Sequence, residues 1–502
     1  MRGLWRRWAF LTGVPAAVAL IVGAALPASA SPWVARVAAE GGAAEGGAAE
    51  GGAAEGGTVP RLVVVGAPGL AWSDLDRQHL SALEAVAAEG AVGSLTVRAV
   101  RTRACAVDGW LTLSAGRRAA DRAGPCREPL PVSGGSVPRW GEYVAAAASD
   151  SYDARPGALT DAVATAGGCV ETVGAGAAIG GADGSGRVSV HHESLPSSFS
   201  CPVVLVDGGV LPAAGAERRT AVERLDALVG ELLGAAPGAD VVVAGVGDGD
   251  SPVRPRALLA AGPSFPVGVL GSASTRQPGV SQLQDLTATA LERSGVGSEA
   301  LTGRPLTVVA SDEAGSARVG ERVGERVAFE TRAATMRAVS PQVTAWLAAA
   351  YAVWAVAVAL LWWRRRAGTE LPRWLVVAGV ALAATPVSSF VVNLVPWWRA
   401  PAPVLVFLAG LAVAVAVLTA LVVRIGARRR IGGLRLVALV TLVVLAGDVL
   451  SGSGLQLGSV FGQNPVVGGR FYGFGNTSFA LYGLAVLVIV GWVAASGPSR
   501  RA

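Results

Sequence analysis

The chain has 502 residues, of which 52% are hydrophobic, and its mean hydropathy is +0.49. This apolar content excludes a wholly water-soluble protein, so we expect part of the chain to lie in lipid. The formal net charge is +6, and the basic residues are all arginines. Much of the arginine flanks apolar segments, which indicates membrane topology rather than nucleic-acid binding.

The N-terminal part predicts export. Residues 1–30 join arginines to a long apolar run and a small-residue site, which indicates either a cleaved signal peptide or a retained anchor. Residues 31–59 contain a five-residue EGGAA repeat that cannot bury a core, so we expect a disordered linker. The Ala-, Gly- and Val-rich composition without lysine is typical of high-GC bacteria such as actinobacteria.

Residues 60–300 alternate strand-like and helix-like runs, which predicts an α/β domain with a mostly parallel sheet and flanking helices. The clearest predicted strands are 62–66, 203–207 and 240–246, and the predicted helices are 79–89, 157–166, 220–233 and 283–294. A further short helix is expected from Asp108 or Gly109, either of which could cap it, to Leu113.

All four cysteines lie in this segment. An even number of cysteines in an exported domain predicts two disulfides. Three connectivities are open, and we favour Cys105 with Cys126 and Cys169 with Cys201, because shorter loops cost less entropy to close. Free buried thiols are the alternative.

Acidic residues follow two of the predicted strands. Asp207, Asp248 and Asp250 come at the carboxyl ends of strands, where the sites of α/β proteins gather. Carboxylate oxygens suit Mg²⁺ or Ca²⁺, so these residues are candidate metal ligands, whereas solvated turn residues are the simpler interpretation. The adjacent His191 and His192 would point to opposite faces of a strand and could not readily share one metal.

Four segments in order carry a resemblance: LVVVGAPGL, CAVDGWLTLSAG, ADVVVAGVGDGD and GVSQLQDLTATALERSGV. Together they resemble the alkaline phosphatase superfamily, which includes sulfatases, nucleotide phosphodiesterases and phosphomutases. The resemblance covers about residues 60–300. The last segment is the most specific, being similar to "DLAPTLLELLG", with Ala288 in place of the proline.

The resemblance also shows where this chain departs from the family. An Asp metal ligand is expected after the first strand, where this chain has Pro68 and Gly69, and the family's "DHG" appears as Gly-Asp-Gly around Asp248, without histidine. The nucleophile position falls near Ala106. Its candidate replacements are Thr102 and Cys105, although a disulfide would block the latter.

A helical membrane bundle is predicted after a polar linker at 301–341, which could include a short amphipathic helix. Residues 342–496 contain five apolar segments near the ~20 residues needed to span a bilayer, at 343–363, 374–395, 404–423, 434–450 and 478–493. Arginines follow the first, third and fifth segments, which places those ends and the tail 497–502 in the cytoplasm and the α/β domain outside.

The loop before the fifth segment has the sequence GGRFYGFGNTS. Asp448 lies near the outer end of the fourth segment, and a charge at that depth needs a partner, for which Arg470 has the reach and the sign. With Tyr472 and Asn476, these residues could form a structural pair or a site for a lipid headgroup or envelope glycan. The loop is similar to "RFYGIGNE" in uncharacterised bacterial membrane proteins with a phosphatase-like outer domain.

Three functions remain open at this point. The first is a multi-pass plasma-membrane protein whose outer alkaline-phosphatase-like domain lacks hydrolase activity and acts as a binding or scaffold module without a cofactor. The second is an active hydrolase of phospho- or sulfo-esters that uses Zn, Mn, Mg or Ca. The third is a lipid-handling or transport protein centred on Asp448 and Arg470. Expected partners are membrane lipids together with an envelope glycan, a lipid-linked precursor or another envelope protein, and no nucleic acid.

Overall fold

The computed structural model describes residues 61–75, 79–298, 301–310, 316–364, 371–466 and 471–496. These residues form two compact units: an α/β unit, which ends at residue 334 but includes 465–466, and a helical unit, which comprises the remainder from residue 335. The expected signal peptide or anchor, the EGGAA linker and the C-terminal tail lie outside the described residues.

The α/β unit contains a ten-stranded sheet in its described part. Its strands are β1 (Leu62–Gly66), β2 (Ala91–Thr96), β3 (Val170–Val173), β4 (Val190–His192), β5 (Val203–Asp207), β6 (Asp240–Ala244), β7 (Arg256–Ala261), β8 (Gly268–Ser272), β9 (Val280–Gln282) and β10 (Leu306–Ala310). Their order is β10-β8-β2-β7-β6-β1-β5-β3-β4, and β9 pairs with β2. Three strand pairs are antiparallel, β2 with β7, β6 with β7 and β8 with β10, and the others are parallel.

Helices cover both faces of this sheet. The helices of this unit are α1 (Trp72–Leu75), α2 (Ser81–Glu89), α3 (Ala106–Ala115), α4 (Trp140–Ser149), α5 (Ala158–Thr165), α6 (Ala175–Gly181), α7 (Gly215–Ala235) and α8 (Leu283–Arg293). One core cluster joins the sheet to α3 through α6 and α8, and the other joins it to α1, α2 and α7. The central strand β1 is buried along its whole length because both faces are covered.

The predicted α/β class with a mostly parallel sheet is confirmed. Strands β1 and β5 have the predicted bounds, whereas α3 begins at Ala106, earlier than expected. The reason is that Cys105 takes the N-cap position and its N–H donates to the carboxylate of Asp108 (3.0 Å), which therefore lies inside the helix.

The segment 301–341 differs from the linker that the sequence suggested. Strand β10 pairs antiparallel with β8 and so extends the sheet beyond residue 300. A single helix, α9 (Ser316–Arg364), then begins. Arg322 of α9 donates to the carbonyl oxygens of Ala87 and Gly90, so its first turns belong to the α/β unit. Strand β10 is short, and its residues after Leu306 are at least partly exposed, as suits an edge strand.

The helical unit contains apolar helices. Besides α9 they are α10 (Arg373–Val391), α11 (Pro403–Arg429), α12 (Gly433–Leu450) and α13 (Asn476–Ala495). In the described part of the chain, these four helices and α9 are the five that are long and apolar enough to cross a membrane, as the sequence predicted. Large apolar side chains on these helices remain exposed, Trp362 and Leu405 among them, which is typical of surfaces that face lipid.

Both predicted disulfides are present. Cys105 is bonded to Cys126, and Cys169 is bonded to Cys201. The second bridge joins the start of β3 to the start of β5, its neighbour in the sheet.

Candidate functional site

The candidate site lies where the carboxyl ends of β1, β5 and β6 meet. Gly66 is in register with Asp207 on one side and with Ala244 on the other. The loops after parallel strands converge at this edge, where ligands bind in α/β folds. The N-terminus of α3 reaches the same edge, because Asp248 N–H donates to the carbonyl of Ala104 (2.7 Å).

Asp248 is held by two groups of the protein itself. Its Oδ1 accepts from Arg256 Nη2 (2.6 Å), and its Oδ2 accepts from the N–H of Ala104 (2.9 Å). Both side chains of the ion pair are buried, with exposures of 1% for Asp248 and 0% for Arg256. Arg256 also donates to the carbonyl oxygens of Gly69 and Pro252.

The electrostatics of this pair follow from its burial. Burial lowers the pKa of the Arg256 guanidinium, and the charge of Asp248 opposes that shift. A guanidinium remains protonated in proteins. The pair is therefore a fixed buried dipole in which the carboxylate already has its counter-charge.

Asp207 is also engaged by the backbone. Its Oδ2 accepts from the N–H of Gly176 (2.7 Å) and its Oδ1 from the N–H of Gly209 (3.0 Å). Burial raises the pKa of Asp207, and these two hydrogen bonds oppose the rise. The side chain thus closes the turn after β5 onto the start of α6.

An indole fills the space between these elements. Trp110 of α3 is completely buried. A Cβ at Gly66, Gly176 or Gly180 would overlap its ring, so three glycines make room for it. Helix α3 also needs Gly109, where a Cβ would overlap the carbonyl of Val246. The indole therefore fills the space between α3, α6 and the end of β1.

The remaining catalytic and metal candidates do not join this cluster. Thr102 and Asp250 are exposed. Cys105 is bonded to Cys126, and a disulfide sulfur is not a thiolate nucleophile. His191 and His192 contact different residues of β3, Thr172 and Glu171 respectively.

These residues do not fit a divalent metal. No group of three or more His, Cys, Asp or Glu side chains that could hold a metal ion occurs in the described part of the chain. The oxygens of Asp207 and Asp248 are occupied by N–H donors and a guanidinium, whereas a metal site needs several free ligand atoms at one point.

Sequence reasoning missed Arg256 and Trp110 as parts of this site. One signal was present for the arginine: it opens the apolar run RALLAA, and a charged residue in a buried strand needs a buried partner. Trp110 gave no comparable signal, because the glycines that surround it come from β1 and α6.

The helical unit has a second buried aspartate, Asp448. It is 3% exposed and accepts hydrogen bonds from the N–H groups of Leu455 (2.7 Å) and Gln456 (3.1 Å). Gln456 is completely buried, and neither polar atom of its side chain has a partner among the described residues. Tyr472 and Asn476 are exposed. Arg470, the expected partner of Asp448, lies outside the described residues.

Comparison with known proteins gives low similarity. No protein-family model matches the chain, and no curated protein sequence matches it. Among solved structures, murine ectonucleotide pyrophosphatase/phosphodiesterase 5 is 12% identical over 37% of this chain and 56% of its own, with a TM-score of 0.24. The inactive form of that protein in complex with AMP is 11% identical over the same shares, also at 0.24. The PH0037 protein of Pyrococcus horikoshii is 12% identical over 47% of this chain and 97% of its own, with a TM-score of 0.29. At these TM-scores the similarity carries no functional conclusion.

Proposed function

We propose that this chain is a bacterial envelope membrane protein whose α/β unit lies outside the cytoplasm. In this proposal the α/β unit is a binding or scaffold module that has lost hydrolase chemistry. Its partner is an envelope glycan, a lipid-linked precursor or another envelope protein, and its helices contact membrane lipids.

The Asp248–Arg256 ion pair carries the proposal. The alkaline phosphatase resemblance assigns a metal ligand to the Asp248 position, and there the carboxylate is paired with a buried guanidinium. A buried cation beside the carboxylate also repels a metal ion, in addition to occupying its oxygens. The filled space around Trp110 and the Cys105 disulfide support the same conclusion.

The charge pattern of the helical unit supports the orientation. Arg364 ends α9 and Arg429 ends α11, and α9, α11 and α13 would end on one side of a bilayer if consecutive helices cross it. Arginine-rich ends favour the cytoplasmic side. The segment before α9 would then be outside.

The test measures metal and turnover on the full chain in detergent. We expect substoichiometric Zn, Mn, Mg and Ca by elemental analysis and no hydrolysis of phosphate mono- and diesters or sulfate esters with any of these metals added. Stoichiometric metal together with turnover that Asp250→Ala reduces would overturn the proposal and establish the hydrolase alternative. Asp250 is chosen for this variant because it is exposed and its replacement leaves the core intact.

One observation favours lipid handling as a second candidate function. Gln456 places an unsatisfied amide in the interior of the helical unit, and a buried polar group without partners is costly. A lipid headgroup bound there would satisfy it. Native mass spectrometry should then detect a lipid retained by the wild-type protein and lost from Gln456→Leu, whereas identical lipid content in both would exclude this site.

A further inference from the structure

A pocket of about 220 Å³ opens in the α/β unit beside the Asp248–Arg256 pair. Its lining comes from the segments that follow β1, β5 and β6, and it includes four arginines but one carboxylate, that of Asp74. The arginines are Arg218, Arg219, Arg254 and Arg256. Thr102, Cys105, Asp207 and Asp248 do not line it, and Arg256 is the residue that it shares with the candidate site.

Two of these arginines build the wall of the pocket. Arg218 donates to both carboxylate oxygens of Asp74, at 2.6 and 2.8 Å, and to the Ser251 hydroxyl and the carbonyls of Pro212 and Gly69. Its donors are therefore used within the protein. Arg256 is held by Asp248 in the same way. These two neutralised ion pairs give the pocket a rigid polar wall.

The other two arginines have donors that no described residue uses. Arg254 donates through Nη1 to Glu330 (2.5 Å), and its Nε is buried with no partner among the described residues. Arg219 is exposed, and the ion pairs of the described residues do not include it. Guanidinium groups bind phosphate oxygens in a planar, two-pronged geometry that suits such sites.

Helix α7 adds to the positive potential. Ala214 and Gly215, at its N-terminus, line the pocket, and alanine at the N-cap has no side chain that can accept the first N–H groups. Arg219 lies in the second turn and lines the pocket, whereas Glu217 of the first turn does not line it. A bound anion would accept from the N–H groups at the helix start.

We propose that this pocket binds the phosphoryl group of a phosphate monoester, with Arg219 and Arg254 as the direct donors. The inference rests on the proposed function as a binding module and names the chemical class of its ligand. The ligand is either a dissolved phosphate monoester or the headgroup of phosphatidic acid, since both present a phosphate monoester.

The experiment measures binding of glycerol 3-phosphate to the full chain in phosphatidylcholine nanodiscs by isothermal titration calorimetry. Arg219→Ala and Arg254→Ala should each raise the dissociation constant at least about tenfold, the loss expected for one hydrogen bond to a charged group. Arg224→Ala is the matched control. It lies on the same helix, is exposed and does not line the pocket, so it should leave binding unchanged.

Nanodiscs that also contain phosphatidic acid distinguish a lipid ligand from a dissolved ester. Weaker apparent binding of glycerol 3-phosphate there assigns the pocket to the lipid headgroup, and unchanged binding assigns it to a dissolved ester. Absence of binding, or binding that Arg224→Ala weakens as much as Arg219→Ala, overturns the inference and leaves the scaffold proposal standing. Hydrolysis of the bound ester would instead overturn the scaffold proposal and retain the phosphoryl site.

Discussion

At the scale of single residues, the Asp248–Arg256 pair decides how the candidate site is interpreted. A buried ion pair contributes little net stability, because two charges lose their hydration when they form it. Removing one partner is different, since the other charge is then left buried without compensation. The pair is therefore a sensitive point of the α/β unit even if it binds nothing.

We predict that Arg256→Met destabilises the protein by about 3 to 5 kcal/mol, the cost of leaving one buried charge unpaired. The double variant Asp248→Asn/Arg256→Met should be less destabilised than the sum of the two single variants, because it removes both charges together. Thermal unfolding of the full chain in detergent, followed by circular dichroism, measures this. Arg224→Met is the surface control, and a strictly additive double variant would show that the two side chains do not interact.

At the scale of elements, the sequence predicted the strands and helices whose type depends on the local pattern of residues. The runs that became β1, β5 and β6 are continuous apolar strands bounded by glycine or acidic residues, and their type follows from that pattern alone. The other seven described strands were not predicted, and β2 and β10 illustrate why. They carry glycine, serine or threonine, and their strand state depends on partners distant in sequence, β7 and β8.

The same distinction applies to the candidate site. The cysteine pairs were predictable because loop length favours one pairing, and the structure confirms both. The partner of Asp248 was not predictable from the sequence, because Arg256 reaches Asp248 only when the chain turns back after β6 into the antiparallel β7. The arginine pocket likewise brings together residues from three separate segments.

Helices α3 and α8 each contain a buried aspartate near the N-terminus, and its ionisation makes the stability of the protein depend on pH. Asp108 is the third residue of α3 and Asp285 the third residue of α8. Each accepts the N–H of its N-cap residue, Cys105 or Gln282, and one backbone N–H from outside the helix, that of Asp121 or Arg304. Burial raises the pKa of each from 3.8 to about 6, although these hydrogen bonds oppose the rise. The native protein therefore binds these protons more tightly than the unfolded chain does.

We predict that the stabilising contribution of each group is complete below about pH 4 and is lost as the pH rises to about 6, by about 3 kcal/mol for a shift of about two pKa units. Asp108→Asn cannot ionise, so its stability should fall less steeply over that range than that of the wild type. Thermal unfolding at several pH values gives the two slopes. Parallel curves would mean that Asp108 has an ordinary pKa in the native protein.

At the scale of the whole molecule, the helical unit is stabilised by more than apolar helix packing. The segment between α12 and α13 is hydrogen-bonded to α10 and to the helical turn that follows it. Ser459 donates to the carbonyl of Ser389 in α10 (3.3 Å), and Asn393 in the turn donates to the carbonyl of Leu455 (2.9 Å). Asp448 fixes the same segment to the end of α12. A single carboxylate thus organises the polar end of the unit.

We predict that Asp448→Ala loosens this segment, because the N–H groups of Leu455 and Gln456 lose their acceptor in a buried place. All four native cysteines are in disulfides, so Leu457→Cys, at a position only 6% exposed, adds one reactive thiol as a reporter. Maleimide labelling of the full chain in nanodiscs should become at least about tenfold faster with Asp448→Ala, which corresponds to about 1.4 kcal/mol in the opening equilibrium. Thr441→Ala is the matched control, since it removes a hydrogen bond within the same helix and leaves the segment untouched. Equal labelling rates in the two backgrounds would show that Asp448 does not hold the segment.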